Sequence, residues 1–167
     1  MRKLTFLILL LLAGLVSCKQ ETERGIPGPA EVAVESPDTL STPEEQAEKL
    51  KSKGHQIFFY KDGDTTYLMQ QYYVVFLKSG KNRSQDSTEA AELQKQHLAH
   101  FTKMAEEGYL SLVGPFESEG DIRGIAIYNT PTEEMADSLA RLDPMVAAGR
   151  LEVEIHPWWA AKGGKLK

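Results

Sequence analysis

The stretch Gln96-His97-Leu98-Ala99-His100-Phe101 runs on through Met104 and Gly108 to Val113-Gly114-Pro115-Phe116. It reads as the second half of a helix, a glycine stop, a short strand and a Gly-Pro turn, and the fold is decided there. On a wheel stepping about 100° per residue with Leu93 at zero, Met104, Ala90 and Phe101 fall within about 80° of it and form one apolar stripe. His97 lands inside that stripe at about 40°, and His100 at its edge, about 20° to the other side. The helix therefore turns an ionisable ring toward its own core. Two readings stand at this point. The ring is a satisfied core histidine, or it is a general base or acid at the bottom of a pocket.

Upstream of this helix, Tyr72-Tyr73-Val74-Val75-Phe76-Leu77 is apolar at every position, which predicts a strand buried on both faces. A polar loop over 79–86 follows. Asp86 with Glu89 makes a cap for the helix, and Gly108 ends it. Leu110 to Val113 reads as a second strand. After a turn over 117–121, Ile122 to Tyr128 reads as a third, again apolar on both faces. Thr130-Pro131-Thr132-Glu133 predicts a capping box, with proline at the first position of a second helix reaching about Leu142. Asp143-Pro144 opens a short further turn that ends at Gly149. Leu151, Val153 and Ile155 alternate with Glu152, Glu154 and His156, so the fourth strand has one wet face. Trp158 and Trp159 read as core or dimer contacts.

The order β-α-β-β-α-β is that of a ferredoxin-like α+β sandwich: an antiparallel sheet with two helices on one face. Right-handed crossovers place the first and third strands at its centre. The bare faces of those strands would still present Val, Ile and Tyr, so something must cover them. A second copy of the domain is the simplest candidate.

The preceding segments read differently. Met1-Arg2-Lys3 is a positive n-region, and Leu4 to Val16 is apolar apart from Thr5. The run is too short to span a bilayer comfortably, where about 20 residues are needed, and it suits a signal sequence. It ends at Leu15-Val16-Ser17-Cys18, which resembles the bacterial lipobox and implies cleavage before Cys18 and acylation of that cysteine. Cys18 is the only cysteine, so no intrachain disulfide can form. Lys19 rather than Asp after it points to outer-membrane sorting at the cell envelope. From Lys19 to about Ser41 the Pro, Glu, Thr and Ser content predicts a solvated tether. Thr42-Pro43-Glu44-Glu45 offers a capping box for a short helix stopped by Gly54. Ile57 to Tyr60 and Thr65 to Leu68 read as a hairpin around a two-residue Asp62-Gly63 turn. The expected division is a signal peptide over 1–17, acylated tether with a short helix over 18–54, hairpin extension over 55–71, the main domain over 72–159 and a tail over 160–167. No internal repeat is present.

The formal charge of −5, with 24 acidic against 19 basic residues, leaves no basic face for nucleic acid. Loss of Arg2 and Lys3 with the signal would leave −7. Gly-rich phosphate loops, serine nucleophile motifs and redox cysteine pairs are absent from the sequence.

Tyr72 to Leu77, Gln96-His97-Leu98, Gly114-Pro115-Phe116, Asp143-Pro144-Met145-Val146-Ala147-Ala148-Gly149 and His156-Pro157-Trp158 together resemble the YciI-like, or YCII-related domain, family. The resemblance covers about Tyr72 to Trp159. It implies a dimeric α+β barrel, in which two ferredoxin-like sheets pack face to face as a homodimer. It also implies a histidine–aspartate dyad, carried here onto His97 and Asp143, and no cofactor. One studied type in the family is a dehydrochlorinase acting on a chlorinated aromatic. The lipid tether and the Ile57–Leu68 hairpin lie outside the family pattern.

A carboxylate on one ring nitrogen of a histidine fixes the tautomer and leaves the other nitrogen as a base. Asp143 directly before proline is also a favoured N-cap, and its two oxygens allow both roles. The expected activity is cofactor-free proton transfer of the lyase or isomerase type on a small organic acid, with His97 as general base. The alternative is a non-catalytic, ligand-binding dimer at the envelope. His100 is expected to line the pocket, and Arg83 and Lys78 are candidates to hold a substrate carboxylate. His97 and His100 are spaced for a shared metal, but no third ligand forms a recognisable motif, so no metal is expected.

Overall fold

The computed structural model describes residues 42–117, 120–164 and 166. The signal sequence, Cys18 and the tether fall outside the described residues, as do two positions of the predicted turn over 117–121. In chain order the elements are α1 (Pro43–Ser52), β1 (Ile57–Asp62), β2 (Thr65–Ser79), α2 (Ser87–Glu106), β3 (Leu110–Pro115), β4 (Ile122–Tyr128), α3 (Glu133–Arg141), α4 (Pro144–Ala147) and β5 (Leu151–Ala161).

All pairings in the single sheet are antiparallel. β2 is its spine. One edge of β2 pairs with β5 along Met69–Ser79. On the other edge β1 pairs with Thr65–Gln70, and β4 follows it along Tyr73–Lys78. β3 lies outside β4. The ferredoxin-like order β5-β2-β4-β3 results, with the two doubly apolar strands at the centre. Register places Tyr73, Val75 and Leu77 level with Tyr128, Ala126 and Gly124 on one face. Those strand positions join Phe101 and Met104 of α2, Ala136 and Ala140 of α3 and Met145 of α4 in the core, where Val75, Ala126 and Ala136 have no exposure at all. The opposite face presents Val74, Phe76 and Ile125, each half-buried, beside exposed Trp158.

Several boundaries differ from expectation. The second hairpin strand and the first core strand are one strand, Thr65–Ser79. Met69-Gln70-Gln71 lay between the two expected strands. Instead Gln70 is fully buried and satisfied: its Nε2 donates to Asn129 Oδ1 (2.6 Å), and its Oε1 accepts from Tyr72 Oη (3.2 Å). The two-residue turn is Gly63-Asp64, because Asp62 still pairs with Thr65. Gly63, at φ 57°, takes the left-handed position that a tight hairpin turn needs. Gly114 and Pro115 finish strand β3 rather than forming a turn, and Pro115 is tolerated because β3 is an edge. The cap of α3 is Thr132, whose hydroxyl accepts from Met135 N (3.2 Å). Thr130 is buried instead and donates to Thr132 O (3.0 Å), so Pro131 precedes the helix rather than starting it. β5 runs on through both tryptophans to Ala161, because the long β2 supplies partners as far as Met69.

Candidate active site

The site begins with a helix cap. Asp86 Oδ1 accepts from the amides of Thr88 (2.8 Å) and Glu89 (2.9 Å), and Glu89 Oε2 accepts from Asp86 N (3.0 Å). This reciprocal box fixes the start of α2, and so the rotation of every later residue about its axis. Gly108, at φ 79°, terminates the helix in the left-handed conformation. His97, Phe101 and Met104 are the positions thereby buried. His97 is 8% exposed, and its ring stands edge-on to Phe101 with centroids 4.4 Å apart.

Asp143 arrives from the other side. α3 ends at Arg141, and the backbone turns extended at Asp143 (φ −61°, ψ 124°) so that Asp143 caps α4. Its Oδ1 accepts from Met145 N at 2.9 Å. Its Oδ2 meets His97 Nδ1 at 2.5 Å. One carboxylate thus caps a helix and orients a histidine, and Asp143 is 1% exposed while doing both. An ionised carboxylate only accepts, so Nδ1 carries the proton and donates it. In the neutral ring the lone pair then sits on Nε2, which makes no hydrogen bond among the described residues. The His97 side chain keeps 10% of its surface.

His100 stands beside this pair, its ring 5.9 Å from Phe101. Its Nε2 is buried without a hydrogen-bond partner among the described residues. Burial holds its pKa below the ordinary imidazole value. The nearby charge of Asp143 and the backbone of Leu139 oppose that shift, while His97 and Lys103 add to it. Tyr128 was not singled out by the sequence reading, which saw only an apolar strand end. It is 1% exposed, and its hydroxyl has no hydrogen-bond partner among the described residues. Burial first, and then the Asp143 carboxylate, pushes its phenol pKa up.

The two cationic candidates are not brought to the dyad. Lys78 follows Val74 and Phe76 onto the opposite face of the sheet, where its Nζ bonds Glu154 Oε2 (3.1 Å) and pairs with Asp121 Oδ2 (3.5 Å). The hydrogen bond and charge of Glu154, followed by Asp121, hold its pKa above the ordinary value. Arg83 is exposed in the loop before α2. A depression of about 570 Å³ beside that loop is lined by Asn82, Ser84, Gln85, Thr88 and α2 as far as Leu93. It stops one helical turn short of His97. No β2 residue lines this depression, because β2 turns Tyr73, Val75 and Leu77 into a close-packed core. Among the described residues, no three His, Cys, Asp or Glu side chains gather where they could hold a metal ion.

The family model of the YCII-related domain matches residues 72–159. The chain belongs to the YCII-related domain family. The matched part of this YCII-related chain runs from the middle of β2 to near the end of β5 and contains both His97 and Asp143. Eight chains among solved structures match it. One is the 5-chloro-2-hydroxyhydroquinone dehydrochlorinase of Burkholderia phenoliruptrix in complex with 2,5-dihydroxybenzoquinone. It is 18% identical, covers 52% of this chain and 92% of its own, and superposes with a TM-score of 0.41. No curated protein matches.

Proposed function

We propose that the YCII-related domain is a cofactor-free proton-transfer enzyme acting on a small organic acid by elimination or isomerisation. The observation that carries this is the 2.5 Å contact between His97 Nδ1 and the buried Asp143 carboxylate, which leaves Nε2 as the base. In the reaction, Nε2 takes a proton from a carbon of the substrate. The C–H electron pair then either expels a leaving group from the neighbouring carbon or is delocalised until the same proton is returned at a new position. Asp143 stabilises the imidazolium that forms, through a bond already in place. The depression ending at Leu93, one helical turn from His97, is the approach proposed for substrate.

Screening of the purified chain against small organic acids supplies the assay, and His97→Gln supplies the test. Glutamine keeps size and polarity but cannot act as a base at neutral pH. Turnover should fall by about 10²- to 10⁴-fold while the fold persists. Turnover that survives this change refutes the proposal. The second reading is a binding module that holds a ligand without converting it. The observation favouring it is the 10% residual surface of the His97 side chain.

The lipobox ending at Cys18 supports lipid anchoring at the envelope, in the outer membrane by the Lys19 rule. Cys18→Ser should abolish acyl labelling and move the protein from the membrane to the soluble fraction. Retention in the membrane contradicts the anchor. The half-buried apolar face around Val74, Phe76 and Ile125 supports a homodimer closed face to face. Phe76→Glu places a charge at the centre of that face, and sedimentation should show monomer where the unaltered chain is a dimer. A chain that is monomeric before the change rules the assembly out.

A further inference from the structure

β1 and the first half of β2 form a ribbon that lies outside residues 72–159, and its two faces are unlike. On one, the β2 residues Leu68 and Gln70 are buried at 7% and 0% exposure, although Phe59 opposite Leu68 is exposed, and Gln70 Nε2 reaches His55 Nδ1 (3.4 Å), just after α1, as well as Asn129. On the other, register sets Phe58 opposite Met69 and Tyr60 opposite Tyr67, with Trp159 opposite Gln71 on the adjoining strand. Phe58 meets Trp159 edge-on at 4.8 Å, and Tyr60 stacks on Tyr67 at 6.3 Å. These four rings form one surface, yet Phe58 is 43% exposed, Tyr60 51%, Tyr67 41% and Trp159 37%.

We propose that this aromatic face rests in the headgroup zone of the bilayer that holds the chain's own lipid anchor. The proposal rests on the reading of Cys18 as acylated, and three arguments carry it beyond that reading. The first is position. Cys18 and Pro43 are separated by 24 residues, and α1 leads through His55 directly into β1. That length of chain reaches at most about 85 Å, so the anchor confines the ribbon near the surface and raises its effective concentration there. The second is area. Four aromatic side chains of about 150–250 Å² each, a little under half exposed, offer about 350 Å². A stable protein partner needs about 800 Å² on each side. The face is too small to hold a second copy and sufficient for a weak contact that a tether reinforces. The third is side-chain type. Two tyrosines and a tryptophan pair an apolar ring with a polar tip, the combination that settles at the membrane–water boundary. Asp62 and Asp64 flank the ribbon's tip, so the surface it suits is zwitterionic rather than strongly anionic.

Both tryptophans of the chain lie in or beside this ribbon, so Trp158→Phe leaves Trp159 as the sole reporter. The acylated full-length Trp158→Phe chain is placed in phosphatidylcholine vesicles, with or without bromine on the upper acyl chain, and flotation confirms attachment. Trp159 emission should fall about two-fold in the brominated vesicles, as for a ring held at headgroup level. Adding Phe58→Ser and Tyr60→Ser should restore it, with the circular dichroism unchanged. A chain that floats but emits equally in both vesicles overturns the docking alone. A chain that does not float overturns the anchor and the docking with it. An emission that shifts with protein concentration at fixed lipid assigns the face to a second copy and overturns the proposal.

Discussion

Replacing Asp143 with alanine will cost the domain about 2–5 kcal/mol, read as a lowered urea midpoint. Two losses combine. The amide of Met145 loses its 2.9 Å acceptor, which is a lost N-cap worth about 0.5–2 kcal/mol. His97 Nδ1 loses its Asp143 partner inside a buried site, and an orphaned buried donor costs about 1–3 kcal/mol more. Asp143→Asn separates the structural role from the chemical one. The amide oxygen can still cap Met145, so most of the stability should return. The amide nitrogen then faces His97 Nδ1 and can only donate, so the ring must place its proton on Nε2. Nitrogen NMR of His97 should report that exchange of tautomer, and any turnover should fall by about 10⁴-fold, the size of effect seen where a histidine base is held in the wrong tautomer. An Asn variant that keeps the Nδ1–H tautomer and full activity would falsify the orienting role.

Gly80→Ala is expected to cost about 3 kcal/mol or more, although Gly80 lies far from Asp143 in sequence. A Cβ at Gly80 would overlap Gly149 O outright and stand 2.7 Å from Arg150 C. These are backbone atoms, so no rotamer change relieves the clash. The loop and the end of α4 must part. That separation strains three bonds: Gly80 N to Arg150 O (2.9 Å), Asn82 N to Gly149 O (3.0 Å) and Asn82 Nδ2 to Ala148 O (2.9 Å). Since α4 begins at Asp143, amide exchange in Met145 to Arg150 should quicken, and the His97 tautomer should become mixed. Gly114→Ala is the matched control. A Cβ there meets nothing within 4 Å, so the change should stay within about 0.5 kcal/mol. Equal costs at the two glycines would refute the argument.

Much of the fold was legible because its signals are local. Strand and helix periods, the Asp86–Glu89 capping box and the stop at Gly108 each depend on residues within one or two turns of each other, and the structure places α2 and β4 where those signals put them. The wheel placed His97 on the buried side for the same reason: the rotation of a helix follows from its own apolar stripe. The sequence also raised the dual role of Asp143, because a carboxylate has two oxygens and a proline followed it.

Only the tertiary structure decided the rest. Gln70 lay between two expected strands, and it is a satisfied core residue because Asn129, 59 positions away, accepts its hydrogen bond. Lys78 and Arg83 looked near enough to hold a substrate, but one strand alternation sends Lys78 to Glu154 on the far face. Tyr128 carried no local mark at all. The polarity of a buried atom depends on what the packing leaves beside it, and for its hydroxyl that includes Asp143, contributed from beyond α3. The closest case is His97 itself. Sequence set the direction of its ring, but whether a core histidine is bonded to backbone or to a carboxylate is a matter of distance between separate elements. That distance, 2.5 Å across 46 positions, exists only once α2 and α4 are packed together.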